Sequence, residues 1–309
     1  MIPFLIRRLL YAVPVVLGVA AITLALFTFA GGDPAAKRLG KNPSPEAVER
    51  MRKEMHLDDP FAVQYVEFVR QIGSFDYGDS WERKAPVRRI FLDGIGPTLS
   101  VSVPAFLLGA LIAVALALMV AWYRGSLFDR TMTVAAIAGI SVSSLIYVLI
   151  GQWLFADQLR LFPIWGYEYG WRSIYFVALP VLIWIVLSVG TDLRYFRTVA
   201  LEEIGRDYVR TARSKGLPER KVLFKHVLRN CSIPIITRLT IVVPFLITGS
   251  FLMEIFFGIP GLGSQLYAAI RESDFPVVKA FTMIGTLLYV AFNILADVLY
   301  ALFDPRVRF

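Results

Sequence analysis

Four long apolar runs decide what this chain can fold into. Residues 98–121 hold 24 positions without a charged side chain, 131–156 hold 26, 9–30 hold 22 and 173–191 hold 19. A helix rises about 1.5 Å per residue, so about 20 apolar positions cross the roughly 30 Å hydrocarbon core of a bilayer. Two weaker runs follow: 239–253 lies between Arg238 and Glu254, and 280–296 ends at Asp297. Six transmembrane helices are predicted. Within lipid each backbone polar group must be bonded inside its own segment, so the fold class is all-α. Composition agrees, at 57% hydrophobic and 18% charged. Soluble domains stand at about half and about a quarter.

The first run follows Arg7 and Arg8, as in a secretory leader. It exceeds the usual apolar stretch of about 7–15 residues, and Gly31-Gly32-Asp33-Pro34 makes a poor cleavage site. It reads as a retained first helix. The lone cysteine, Cys231, excludes an internal disulfide or a cysteine-rich metal cluster. His56 and His226 share no metal-ligand spacing, and no catalytic constellation is visible; Ser141, Ser143 and Ser144 lie in an apolar run where small residues serve packing.

The net charge of +8 suits cytoplasmic loops that follow the positive-inside rule. Arg124 and Arg130 occupy the link between spans two and three. The link between spans four and five carries ten cations: Arg194, Arg197, Arg206, Arg210, Arg213, Lys215, Arg220, Lys221, Lys225 and Arg229. The short loops of the opposite side are leaner, with Arg160 and Arg172 in one, Arg271 and Lys279 in the other; the long first loop also holds many Lys and Arg, but a loop of about 60 residues or more largely escapes the rule. Both termini, with Arg7, Arg8, Arg306 and Arg308, are therefore expected in the cytoplasm. The organisation is 1–30, a cytoplasmic end and first span; 31–97, an outer loop; and 98–309, a core whose cytoplasmic loop is 197–230. The outer loop reads as a small helical cap, with helices over 45–57 and 60–72 before the turn FDYGDSW.

The cytoplasmic stretch GRDYVRTARSKGLPERKVLFKHVLRN, residues 205–230, reads as a basic helical hairpin. Over 201–215, Arg206, Arg210 and Arg213 share one face, with Ile204, Tyr208, Thr211 and Ala212 towards the other. Gly216 stands where a helix C-cap wants positive φ, and Pro218 blocks continuation. Three readings fit: a solvated loop that satisfies topology, a DNA-binding helix–turn–helix, or a protein-docking element. Spans tether the hairpin at both ends, which keeps a recognition helix out of a major groove. Small Ala212 and Gly216 beside Tyr208, rimmed by arginines, suit a partner's groove.

At this point the chain resembles the permease subunits of type I ATP-binding-cassette importers, in the dipeptide, oligopeptide and nickel branch. RRLL at the start and GDP after the first span match. So do HLDDPFAVQY and FDYGDSW in the outer loop, the hairpin itself, MEIFFGIPGLGSQLYAAI after span five, and the ending DVLYALFDPRVRF. The hairpin departs from the general Glu-Ala-Ala consensus, having Arg210, Thr211 and Ala212 there, with Gly216 as the glycine.

The resemblance implies a coupling helix seated in a separate ATPase, with Tyr208, Arg210, Thr211, Ala212, Arg213, Lys215 and Gly216 as its contacts. It implies two ATPase subunits or one dual ATPase, a second homologous permease and an extracytoplasmic solute-binding protein. The chain itself has no G-x-x-x-x-G-K-[ST] phosphate loop. No cofactor, metal or nucleic acid is expected here; ATP and Mg2+ belong to the partner ATPase. Arg238, about two turns into span five, either snorkels to the cytoplasmic interface or faces a translocation path. Glu254, at the outer end, either meets a peptide's amino terminus or holds the loop, and with Pro260 and Gly261 it is a candidate for the path or gate. Asp192 and Arg194 are expected at an interface. Peptides are the implied cargo, with nickel chelates and oligosaccharides as alternatives. An ion-coupled carrier would show an inverted repeat and midplane acids, neither of which is clear. A non-transporting scaffold leaves the ordered outer loop unexplained.

Overall fold

The computed structural model describes residues 2–39, 42–248 and 251–303. The predicted terminal motif Asp304-Pro305-Arg306, and Arg308, lie outside the described residues. The helices in chain order are α1 (Ile2–Ala30), α2 (Pro34–Leu39), α3 (Pro45–Glu54), α4 (Phe61–Ser74), α5 (Val87–Trp122), α6 (Leu127–Ser141), α7 (Ser144–Gly151), α8 (Ser173–Ile204), α9 (Asp207–Ser214), α10 (Glu219–Lys221), α11 (Leu228–Thr248), α12 (Phe251–Phe257), α13 (Leu262–Glu272) and α14 (Phe275–Phe303). Among the described residues five stretches are long and apolar enough to cross a bilayer: Ile6–Phe29, Val87–Trp122, Gly170–Ile204, Glu219–Leu246 and Phe275–Val298.

The sixth expected span, 131–156, is not one rod. It consists of Leu127–Ser141 and Ser144–Gln158, which meet at 97°. Val142 and Ser143 take extended backbone between them, with ψ of 134° and 139°. The Ser141 hydroxyl donates to the Ile137 carbonyl at 2.9 Å. A serine hydroxyl that bonds back to its own helix competes with the regular ladder. The Tyr147 hydroxyl reaches across the corner to the Gly139 carbonyl at 3.0 Å. In hydrocarbon a carbonyl released by a break needs such a donor. The apolar composition that marked the span is intact; its straightness is not.

Two compact units divide the chain. The first comprises residues up to 96 together with 260–294; the second comprises 97–259 and the residues from 295 on. In the first unit both expected outer helices form, as α3 and α4. Ser44 caps α3, accepting the Ala47 N–H at 3.3 Å, and Pro45 occupies the first turn where its missing N–H costs nothing. Helix α4 lies along α1, and the Tyr65 hydroxyl donates to the Leu17 carbonyl at 3.0 Å. Phe27 of α1 stacks on Phe275 at 3.6 Å between ring centroids, with Trp81 tilted 6.3 Å from each.

One carboxylate braces the turn that carries FDYGDSW. Asp274, only 3% exposed, accepts the Trp81 N–H at 3.0 Å and the Ser80 hydroxyl. The Ser80 oxygen in turn accepts the Arg83 N–H at 2.9 Å. Asp274→Ala strands the first two donors, and each unpaired buried donor costs about 1–3 kcal/mol. The expected result is faster tryptic cleavage at exposed Arg83 and Lys84 in detergent-purified protein. Cleavage at the wild-type rate would mean the turn is held by something other than Asp274.

In the second unit, α5, α7, α8 and α12 enclose an apolar core of Val101, Val148, Leu179, Ile183, Met253 and Phe257. Gly258 turns the chain after α12 at a φ of 65°, and an added Cβ would lie 2.1 Å from the Trp165 ring nitrogen. The Gln152 side chain donates to the Phe256 carbonyl at 2.8 Å, and the Gly166 N–H donates to the Phe257 carbonyl at 2.9 Å. These bonds seat the 159–169 loop on that turn.

Candidate functional site

The basic hairpin begins where α8 stops. Gly205 is the last residue with helical backbone, and Arg206 turns to extended geometry with ψ 152°. The stretch 201–215 is therefore two helices, not the single amphipathic helix expected. Asp207 opens α9, where a carboxylate suits the positive end of the helix dipole. Helix α9 ends in the hydrogen-bond pattern of a Schellman cap: Leu217 N–H to the Ala212 carbonyl at 3.4 Å, and Gly216 N–H to the Arg213 carbonyl at 2.9 Å. Gly216 sits at a φ of 71°, as the sequence anticipated. Pro218 then starts the second arm, which continues through a π-helical stretch, Val222–Val227, into α11. Arg213 and Glu219 clasp the two arms across the corner, with contacts of 2.7 and 3.2 Å.

The inner face of this hairpin is sealed. Val209 and Ala212 of α9 join Val222, Leu223 and Val227 of the second arm in a core shared with Leu193, Phe196 and Ala200 of α8. Ala113, Ala117, Leu118, Val120 and Ala121 of α5, Ala136 of α6, and Cys231 and Ile235 of α11 also belong to it. The alanines recur every four residues on α5, which lets the hairpin backbone come close. Tyr208 is half-buried against this core and donates its hydroxyl to Glu203 at 2.7 Å. Burial, then the neighbouring Glu203, pushes its phenol well above the ordinary tyrosine range.

The outer face is polar and exposed: Arg206, Asp207, Arg210, Thr211, Ser214, Lys215 and Gly216 all stand in solvent. Sequence reasoning put Tyr208, Thr211 and Ala212 together on one contact face. The structure separates them. Thr211 belongs to the exposed side with Arg210, whereas Ala212, 5% exposed, packs against the chain's own core.

A second connection ties α8 to the neighbouring link. Arg197 forms a two-pronged pair with Asp129 at the start of α6, Nε to Oδ1 at 2.8 Å and Nη2 to Oδ2 at 2.9 Å. Asp129 also accepts the Gly125 N–H at 2.9 Å, and its side chain is only 7% exposed. The pair was not legible beforehand, since its partners are 68 residues apart.

Two of the candidates for a path or gate, Arg238 and Glu254, have polar partners. Arg238 of α11 pairs with Asp192 of α8 at 3.3 Å, which gives the charge within the span a named partner. Glu254, 1% exposed, accepts the Thr98 hydroxyl at 2.8 Å. Gly261 is buried at the start of α13, in contact with Gly94, and Pro260 precedes it half-buried.

Five helices long and apolar enough to cross a bilayer, and a sixth apolar run broken into two helices, make this an all-α protein of the integral-membrane class. The chain is a member of the binding-protein-dependent transport system inner membrane component family. The family's main description matches residues 99–309, and that of its N-terminal region matches 1–102. Similar chains include one of Brucella abortus that carries the name of a peptide transport system permease protein, 36% identical over 316 residues and covering 100% of both chains. The oligopeptide transport system permease protein AppB of Bacillus subtilis is 31% identical over 316 residues, again covering 100% of both. The dipeptide transport system permease protein DppB of Escherichia coli is 29% identical over 336 residues, covering 100% of this chain and 99% of the relative. The protein is thus a multi-pass inner-membrane transport permease.

Proposed function

We propose that this chain is the permease subunit of an ATP-driven importer of short peptides, and that the 201–229 hairpin is the element through which an ATPase moves it. The observation that carries this reading is the two-sided hairpin. Its exposed face is rich in cations, while its inner face shares one apolar core with α5, α8 and α11. A push on the outer face therefore reaches three membrane spans without an intervening loop to absorb it. Such rigid-body transfer suits a switch between inward- and outward-open states.

Arg210, Thr211, Arg213, Lys215 and Gly216 form the docking face, and Tyr208 and Ala212 support it from behind. The Asp129–Arg197 pair carries the motion on to α6. Arg238 with Asp192 supplies the charged position along the path; Glu254 serves as a gate element, as do Pro260 and Gly261 beyond it. ATP and Mg2+ bind the partner ATPases, in keeping with the missing phosphate loop. The assembly contains two ATPase domains, a second permease and an extracytoplasmic binding protein. Both termini face the cytoplasm, on the side where the ten cations of the fourth link gather. Peptide cargo is supported by the names of the relatives.

The test is purification of the tagged chain from its own membrane in mild detergent, with peptide uptake measured in parallel. Co-purification of a P-loop ATPase, and uptake that survives a protonophore but not ATP depletion, is the expected result. Uptake abolished by the protonophore with ATP held constant would favour an ion-coupled carrier. Uptake of nickel chelates or oligosaccharides in place of peptides would change the cargo alone.

A further inference from the structure

We infer that the second arm of the hairpin carries a site for an anionic phospholipid of the cytoplasmic leaflet. The site is an open hollow of about 700 Å³ lined by Pro218, Arg220, Lys221, Phe224 and Lys225. The inference goes beyond the importer reading and takes from it only the cytoplasmic placement of the hairpin.

The apolar residues of this arm divide. Val222, Leu223 and Val227 turn inward and join the core shared with α5 and α8. Phe224 does not follow them and stands 54% exposed. A single exposed apolar side chain is ordinary. Its setting is not: Arg220, Lys221 and Lys225 line the same hollow and are all exposed, and no acidic residue lines it. Glu219, which precedes them, bonds Arg213 instead, at 2.7 and 3.2 Å. Among the described residues no carboxylate oxygen lies within 4.0 Å of a nitrogen of these three cations.

The first arm is built differently. There Arg206 pairs with Glu203 at 3.7 Å, Arg210 with Asp207 at 3.5 Å, and Arg213 with Glu219. A face of mixed sign matches a protein surface of mixed sign. A face of one sign beside an exposed ring matches a surface that is uniformly anionic with apolar material just beneath it. The cytoplasmic leaflet is such a surface.

Position supports the same partner. The stretch Glu219–Leu246, 28 residues, is one of the five long and apolar enough to cross a bilayer. At about 1.5 Å per residue this rod is about 42 Å long. The hydrocarbon core takes up roughly 30 Å and the bilayer with its headgroups about 40–45 Å. The first turns of the rod therefore stand at headgroup depth. At that depth lysine and arginine lay their stems along apolar area and hold their charges to phosphate, and aromatic rings settle at the boundary. A phospholipid offers its phosphate to the three cations and its acyl chains to Phe224.

The experiment measures lipid retained by the full chain, purified in detergent, by native mass spectrometry during titration with phosphatidylglycerol or phosphatidylcholine of equal acyl chains. A preference for phosphatidylglycerol of about tenfold or more is expected. Each cation at an anionic lipid surface changes binding by roughly fivefold, so Lys221→Gln with Lys225→Gln lowers phosphatidylglycerol affinity by about tenfold or more and leaves phosphatidylcholine unaffected. Phe224→Ser weakens both lipids. Arg210→Gln with Lys215→Gln removes the same charge outside the hollow and keeps the preference intact. Glycerol phosphate at equal concentration does not compete. All five substituted positions are exposed, so melting temperatures stay close to that of the parent. Equal retention of the two lipids overturns the proposal, as does wild-type affinity in the Lys221, Lys225 variant or in Phe224→Ser. An equal loss in the Arg210, Lys215 variant overturns it too, since bulk charge would then account for the preference. Competition by glycerol phosphate would make the hollow a site for free phosphate compounds. An unchanged lipid preference in the Lys221, Lys225 variant, with co-purification of the ATPase lost, would assign the hollow to that protein instead.

Discussion

Replacing Arg210 and Lys215 together by glutamate lowers solute uptake at least about tenfold, while the chain still accumulates in the membrane at its normal level. Both side chains stand in solvent on the exposed face of the hairpin, and Arg210 meets Asp207 at 3.5 Å with both groups largely exposed. Surface changes of this kind alter folding stability by no more than about 0.5 kcal/mol. At a docked interface, reversed charge costs several times more, and about 1.4 kcal/mol is already tenfold in an equilibrium constant. Ala212→Arg makes the informative contrast. It places a cation in the core beneath α9, where an unpaired charge is strongly unfavourable. That chain is expected to be lost from the membrane. Transport at the wild-type rate by the double glutamate variant would exclude the outer face as the docking surface, and normal accumulation of Ala212→Arg would contradict the buried face.

The second large effect is at the Asp129–Arg197 pair. Asp129→Ala leaves the Arg197 guanidinium beside an apolar neighbourhood and the Gly125 N–H without its acceptor. Breaking a buried ion pair from one side typically costs about 3–5 kcal/mol, although Arg197 at 25% exposure keeps some hydration and puts the expectation near the lower end. The double variant Asp129→Leu with Arg197→Met removes both charges and recovers most of that loss. Equilibrium unfolding in mixed micelles, followed by circular dichroism, measures both. If the single variant is as stable as the parent, the pair is an ornament of the surface. If the double variant is no better than the single one, the loss comes from packing around position 129 and not from a stranded charge.

Much of this architecture could be read from the sequence because membrane solubility leaves a strong one-dimensional trace. Apolar runs of span length located the helices, and the outer helices α3 and α4 were legible from their caps and periodicity. The corner of the hairpin was legible too, since Gly216 and Pro218 have local conformational reasons to be there. What failed was the direction each face points. Val209 and Ala212 repeat at the spacing of any amphipathic stripe, and one sequence does not say whether that stripe meets a partner or the chain's own helices. The 97° corner at Val142 and Ser143 was hidden because no proline or glycine marks it; serine hydroxyls and Tyr147 make it possible. Pairings across long separations, Asp192 with Arg238 and Asp129 with Arg197, lie beyond any local signal. Lys279 looked like an ordinary loop cation until α14 was seen to begin at Phe275.

The sealed inner face of α9 sets a rule for anyone who would rewire this protein. A peptide copied from residues 205–217 has no reason to hold the native shape, because the residues that would order it belong to other helices. Exchange of the whole segment between related chains carries the same risk, since each inward side chain is fitted to alanines contributed by α5. The exposed positions 206, 207, 210, 211, 214 and 215 have no such obligations. They form a removable label on a fixed mount, and if the proposed docking role holds, rewriting those six alone is the economical way to present the same permease to a different ATPase.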